Sequence, residues 1–92
     1  MFRIVYHPLV TRKDIPKLPH KWRDKIERAI NKRLALKPEL YGKPLRSSLR
    51  GFHKLRVGDY RIIFIIEKSI VKIMAIDHRS TVYSKISKRA FF

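Results

Sequence analysis

Apolar and polar positions change their spacing several times along the 92 residues, and each change predicts an element. Phe2 to Tyr6 alternates and predicts a first strand, ended by Pro8. From Leu9 to Leu18 the apolar residues Leu9, Val10, Ile15 and Leu18 fit a short helix that Pro16 bends or cuts short. Pro19 can open a second helix at its first turn. There Trp22, Ile26, Ala29, Ile30 and Leu34 recur at three- and four-residue steps and make one apolar stripe. Lys21, Arg23, Lys25, Arg28, Lys32 and Arg33 fall on the solvent side. Pro38 closes this helix. Glu39 to Pro44 reads as a loop, and Leu45 to Arg50 as a short strand or extended segment bounded by Gly51.

The second half reads as strands. Phe52 to Val57 and Tyr60 to Glu67 flank Gly58-Asp59, and glycine at the first central position suits a type II′ hairpin turn. A two-residue turn fixes the register: Val57 faces Tyr60, Arg56 faces Arg61, Leu55 faces Ile62 and Lys54 faces Ile63. Partners across a hairpin share a face and successive residues alternate. One face therefore carries Leu55, Val57, Tyr60 and Ile62, and the other Lys54, Arg56 and Arg61. Lys68-Ser69 makes a second tight connection into Ile70 to Asp77. The runs Ile62 to Ile66 and Ile70 to Ile76 are almost wholly apolar, as in central strands. Thr81 to Ala90 places Tyr83, Ile86 and Ala90 at helical spacing.

The predicted order is β-α-α-β-β-β with a C-terminal helix or tail, an α+β domain spanning 1–92. Two helices pack on one face of an antiparallel sheet. Helices are expected to cover the Leu55–Val57–Tyr60–Ile62 side and to leave the Lys54–Arg56–Arg61 side open.

Composition sharpens this picture in one respect. Lys and Arg number 23 against 7 Asp and Glu, a formal charge of +16. So large an imbalance points to nucleic acid or another polyanion. A membrane-surface protein would need a long amphipathic helix with a wide apolar face, or a lipidation signal. Neither is visible. With no cysteine there is no disulfide, thiolate zinc site or cysteine nucleophile. The start, MFRIVYHP, is too short and too charged for a signal peptide, and no apolar run approaches the ~18 to 20 residues of a membrane span. The expected location is the cytoplasm.

Like charges opposed on a sheet are destabilising, so Lys54, Arg56 and Arg61 suggest a bound anion. The last strand ends in Asp77-His78-Arg79, expected beside Tyr60 and Arg61, so that His78, Arg79 and Tyr83 can gather at the same surface. These residues show no acid cluster and no metal-ligand pattern, and neither a cofactor nor a metal is expected. They suit RNA cleavage through its own 2′-hydroxyl. That reaction needs a base for the hydroxyl, an acid for the leaving oxygen and cations for the growing phosphate charge. Arginine forks bind phosphate oxygens in pairs. A histidine, with an ordinary pKa near ~6.5, can give or take a proton at neutral pH, so His78 is one candidate base and Lys54 the other. Plainer roles stay open: His78 as a strand-end cap, Tyr83 as core, Arg56 and Arg61 as solvated strand residues. His7, His20 and His53 read as structural or surface residues, and Trp22 as core.

The stretch G-K-P-L-R-S-S-L-R-G-F-H-K-L-R-V-G-D-Y-R-I-I-F, followed by I-V-K-I-M-A-I-D-H-R-S-T-V-Y, resembles the RelE/ParE superfamily of type II toxins. It is most similar to the RelE-like mRNA interferases. The resemblance covers essentially the whole chain. It implies metal-free cleavage of mRNA in the ribosomal A site through 2′-hydroxyl attack, with the toxin restrained by an acidic antitoxin in a hetero-oligomer. It also implies roles for residues. Lys54 matches a lysine proposed as general base, Arg61 the arginine that braces the scissile phosphate, and Arg56 a neighbouring basic position. Arg79 matches a second phosphate-stabilising arginine, and Tyr83 a tyrosine that stacks on or orients the substrate nucleotide. His78 stands where some relatives carry lysine. Arg46, Arg50 and Lys85, with Lys54 and Arg56, are the expected RNA contacts. Phe52 and His53 replace an additional lysine ahead of Lys54, and Asp77 replaces a glycine. Two other functions stay open within the superfamily: a ParE-like gyrase poison without ribonuclease activity, and an inactive nucleic-acid-binding relic.

Overall fold

The computed structural model describes residues 1–89. One sheet holds β1 (Arg3–Tyr6), β2 (Lys43–Pro44), β3 (His53–Val57), β4 (Tyr60–Glu67) and β5 (Ile70–His78). Their spatial order is β1-β5-β4-β3-β2. β3, β4 and β5 form an antiparallel meander, whereas β1 runs parallel to β5 with Arg3 beside Ile70. The sheet is thus mixed where a purely antiparallel one was expected. Parallel neighbours need a long crossover, and the helices that follow β1 supply part of it.

The β3–β4 hairpin has the predicted register, with Val57 opposite Tyr60 and Arg56 opposite Arg61. Gly58 has φ +59°, as the first central position of a type II′ turn requires. A Cβ there would also run into the Trp22 ring. Trp22 in turn lies 5.3 Å from the Tyr60 ring, so one glycine serves both the turn and the packing of helix on hairpin.

The helices form a layer under the Leu55 side. A π-type turn, Val10–Asp14, runs into α1 (Ile15–Lys17), and α2 (His20–Ala29) continues through a second π-type turn, Ile30–Leu34. Val10, Leu18, Ile26, Ile30 and Leu34 are buried against Leu55, Ile62, Phe64, Val71, Ile73 and Ile76. Each such side chain contributes about 1.5–3 kcal/mol of transfer free energy. The helical stripe and the alternation of β3 and β4 thus meet as predicted.

Three further expectations fail, each for a local reason. Pro38 opens a short helix, α3 (Pro38–Tyr41), in the predicted loop; proline is well placed in a first turn, where its missing N–H has no partner to lose. The edge strand falls at Lys43–Pro44, and the predicted extended segment instead holds a 3-10 turn, Ser47–Leu49. Gly42 explains the placement, since a Cβ there would strike the Phe64 ring and only glycine brings the chain that close to the core. Pro44 is tolerated because β2 is an edge strand.

The third failure concerns the layers. α4 (Val82–Arg89) lies across the opposite face, where Val82 and Ile86 pack on Ile63, Met74 and Ala75. A register shift beside the Ile63–Ala75 and Phe64–Ile73 pairs lets Met74 and Ala75 share that face. Strands β4 and β5 are apolar on both sides, so both sides need cover. The basic face is open only beside the hairpin. The predicted C-terminal segment extends to Ala90, which lies outside the described residues.

Candidate functional site

The hairpin register and the short β2 strand together assemble a basic surface. Lys43 pairs with Lys54, and Arg56 with Arg61. Lys54 and Arg56 are two residues apart on β3, so these four side chains share one face. β2 ends after two residues, which exposes the edge of β3 beyond it. Arg33, from the end of the second helical stretch, closes that edge. The result is a cleft of about 300 Å³ lined by Arg33, Tyr41, Lys43, Lys54, Leu55, Arg56 and Arg61. No acidic side chain lines it among the described residues. Among the described residues, none of its five cations lies in an ion pair.

The acid nearest in register is already engaged. Asp77 pairs with Arg61 across β4 and β5. Its Oδ2, however, accepts from Thr81 Oγ1 at 2.9 Å and meets Lys85 Nζ at 2.9 Å, while Oδ1 accepts the His78 amide at 2.7 Å. Burial pushes the Asp77 carboxyl up, but Lys85, the His78 amide and Thr81 outweigh it and hold it below the usual range. Arg61 turns instead to the hairpin, where Nη1 donates to Gly58 O and Tyr60 O, both at 2.9 Å. Two carbonyls fix one end of the guanidinium, leaving other N–H groups for an anion.

The remaining sequence candidates separate. His78 does not join Lys54 and Arg61. It pairs with Tyr60 and contacts that ring edge-on at 5.9 Å, on the helix-covered side. Its Nδ1 accepts the Ser80 amide at 3.1 Å and lies 2.8 Å from Ser80 Oγ. Arg79 sits at the hairpin tip, its amide donating to Asp59 O at 2.8 Å and Nε lying 3.8 Å from Asp59 Oδ1. Tyr83 is half-buried on α4 against the Ile63–Met74–Ile86 cluster. Arg46 and Arg50 are exposed at either end of the 3-10 turn. Lys85 is not free for RNA: its ammonium bridges Asp14 Oδ1 at 3.1 Å and Asp77 Oδ2 at 2.9 Å.

Asp14 was not singled out from the sequence. Its carboxylate is fully buried. It accepts from Arg89 Nη1 at 2.7 Å, Arg89 Nη2 at 2.8 Å and the Ile76 amide at 3.0 Å. Burial raises this carboxyl, yet Arg89, the Ile76 amide and Lys85 together hold it below the usual range. Through Asp14 the first helical turn, β5 and α4 are tied together, and with α4 the position of Tyr83. A signal was present: Val10, Asp14 and Leu18 fall at four-residue steps, which puts an acid on the apolar stripe. Two other histidines are withdrawn from solvent, His7 fully and His53 in part. Burial first, then Arg89 and Lys72, push His7 down despite Asp14, and burial pushes down His53, whose ring stacks on Phe64 at 5.5 Å.

Known proteins resemble this chain in sequence and fold. A family model for the ParE toxin of the parDE type II toxin–antitoxin system matches residues 2–83. Toxin RelE of Mycobacterium tuberculosis is 35% identical over 83 residues, covering 85% of this chain and 86% of that protein. Toxin RelG of the same organism is 34% identical over 76 residues, covering 80% of this chain and 87% of that protein. The RelBE2 toxin–antitoxin complex of M. tuberculosis contains a chain with TM-score 0.79 at 30% identity, covering 85% of this chain and 98% of that one. The isolated E. coli RelE toxin has TM-score 0.72 at 19% identity, covering 98% and 99%; that likeness concerns the fold alone. The family match takes in the hairpin, the basic cleft and the H-R-S-T-V-Y ending. The chain belongs to the RelE/ParE family of toxins of type II toxin–antitoxin systems.

Proposed function

We propose that this toxin is a ribosome-dependent endoribonuclease that cuts mRNA in the cleft between Arg33 and Arg61. The observation that supports it is the grouping of Arg33, Lys43, Lys54, Arg56 and Arg61 without an acid among the lining residues. Such a cleft concentrates positive charge where a phosphodiester gains negative charge during attack. Lys54 takes the proton of the 2′-hydroxyl. The oxygen attacks the adjacent phosphorus, and the bond to the 5′-oxygen breaks. That oxygen leaves with a proton from water. Products carry a 2′,3′-cyclic phosphate and a 5′-hydroxyl. Arg56 and Arg61 hold the non-bridging oxygens. Proton transfer falls to Lys54 rather than to His78, whose position against Tyr60 on the other face of the sheet supports that choice. The excess of Lys and Arg suits binding to ribosomal RNA, and an acidic antitoxin is the matching partner. Inducing the toxin in cells and mapping mRNA 5′ ends tests the reading. Codon-phased cuts that vanish with Arg61→Ala support it; no new ends, or the same ends with Arg61→Ala, contradict it.

A ParE-type reading has its own support, because the matching family model describes the ParE toxin and His78 pairs with Tyr60 rather than with Lys54 or Arg61. Under it, induction yields gyrase–DNA adducts and leaves mRNA uncut.

A further inference from the structure

One wall of the cleft is not used by the cleavage chemistry. Tyr41 is 46% exposed, and the Arg33 guanidinium carbon lies 5.8 Å from the centre of its ring. The ring's position is set by the backbone. Tyr41 and Gly42 amides donate to Lys37 O and Pro38 O at 3.2 and 2.9 Å, and Gly42 rests against Phe64. Next along the chain, Lys43 stands beside Lys54, paired across β2 and β3. A half-exposed aromatic ring under a guanidinium group, with a lysine two residues on that forms no ion pair among the described residues, is the equipment for a nucleotide. The ring and the guanidinium plane offer stacking surfaces for a base, and the cations meet its phosphate. Arg33 also lines a second hollow with Lys25, Arg28 and Lys32 along α2, so positive charge continues from this wall away from Lys54.

From this geometry we infer that Tyr41, Arg33 and Lys43 bind a neighbouring nucleotide of the same RNA strand that Lys54, Arg56 and Arg61 cut. The base lies on Tyr41, and the phosphate lies between Lys43 and Arg33. The inference rests on the ribonuclease reading and adds a subsite to it. An RNA strand suits the wall better than an acidic peptide does, because a peptide carboxylate needs the cations but not the exposed planar ring.

The test is anisotropy of a labelled single-stranded RNA oligonucleotide, with polyglutamate as the peptide probe, on wild type, Tyr41→Ala, Tyr41→Phe and Lys43→Ala. Loss of one stacked base predicts roughly five- to hundredfold weaker RNA binding by Tyr41→Ala, with Tyr41→Phe close to wild type. Lys43→Ala lowers the salt dependence by about 0.7 in logarithmic slope, the share of one single-strand phosphate. Polyglutamate binding is the same for Tyr41→Ala and wild type. RNA binding by Tyr41→Ala within twofold of wild type overturns the inference. So does a Tyr41→Ala protein that loses polyglutamate but keeps RNA. If wild type binds RNA in a Tyr41-dependent way but cuts nothing, the subsite is supported and the ribonuclease reading fails.

Discussion

Asp14 and Arg89, 75 residues apart in the chain, form a buried two-pronged ion pair with N–H···O distances of 2.7 and 2.8 Å. The pair clamps α4 to the rest of the fold. Removing Asp14 leaves the Arg89 guanidinium buried without a carboxylate, which costs about 3–5 kcal/mol. Removing Arg89 leaves Asp14 with Lys85 and the Ile76 amide. Asp14→Ala is expected to lose that much in denaturant unfolding, and Arg89→Ala less, because Lys85 still faces Asp14. The double change Asp14→Leu/Arg89→Met, which removes both charges, is expected to lose less than either single change. Equal or additive losses would show that the charges are not coupled.

The pH dependence follows from four groups. Asp14 and Asp77 are held low, so their stabilisation is present above about 3.9, the unfolded value, and fades as pH falls through the lower folded values. His7 and His53 are also held low, by burial. The unfolded chain binds their protons first, so stability is full above about 6.5 and declines below it. Unfolding midpoints measured from pH 8 to pH 3 should therefore decline in two stages. Replacing both histidines with glutamine should flatten the first stage and leave the second. A flat profile down to pH 4.5 in wild type would contradict this.

The two tight turns make opposite predictions. Gly58 needs its positive φ and the space beside Trp22. Gly58→Ala is expected to cost at least about 1–2 kcal/mol from the backbone alone, and more from the displaced indole. Lys68 has φ +56° with a side chain that lies exposed. Lys68→Gly relieves that strain and is expected to raise stability by up to about 1 kcal/mol. Chemical denaturation of both variants checks the pair.

The cleft trades stability for charge. Lys43 opposes Lys54 and Arg56 opposes Arg61, and like charges so placed are destabilising by roughly 0.2–1 kcal/mol per pair. Arg56→Thr is expected to leave the fold as stable or slightly more stable, while RNA affinity falls and its salt slope shrinks by about 0.7. Loss of stability together with binding would mean that Arg56 serves the fold.

How much of this was legible in the sequence depended on the range of the forces involved. The hairpin register was readable because a two-residue turn leaves the chain no freedom, and the Lys54, Arg56 and Arg61 face followed from alternation. The same alternation carried one strand further would have set His78 opposite Tyr60 and Asp77 opposite Arg61, so grouping His78 with the arginines ignored the pleat. The cover supplied by α4 was foreshadowed by the unbroken apolar runs of β4 and β5, which a one-sided sheet does not need. The Asp14–Arg89 pair and the arrival of Arg33 and Tyr41 at the cleft depend on tertiary packing between distant segments. No local pattern announces their partners.

The most direct test of the account is to add purified toxin to reconstituted translating ribosomes and determine the position and end groups of the mRNA fragments. The account predicts cuts at the A-site codon that leave a 2′,3′-cyclic phosphate and a 5′-hydroxyl, strongly reduced by Lys54→Ala and by Arg61→Ala. Intact mRNA, or cleavage at the wild-type rate by both variants, would contradict it.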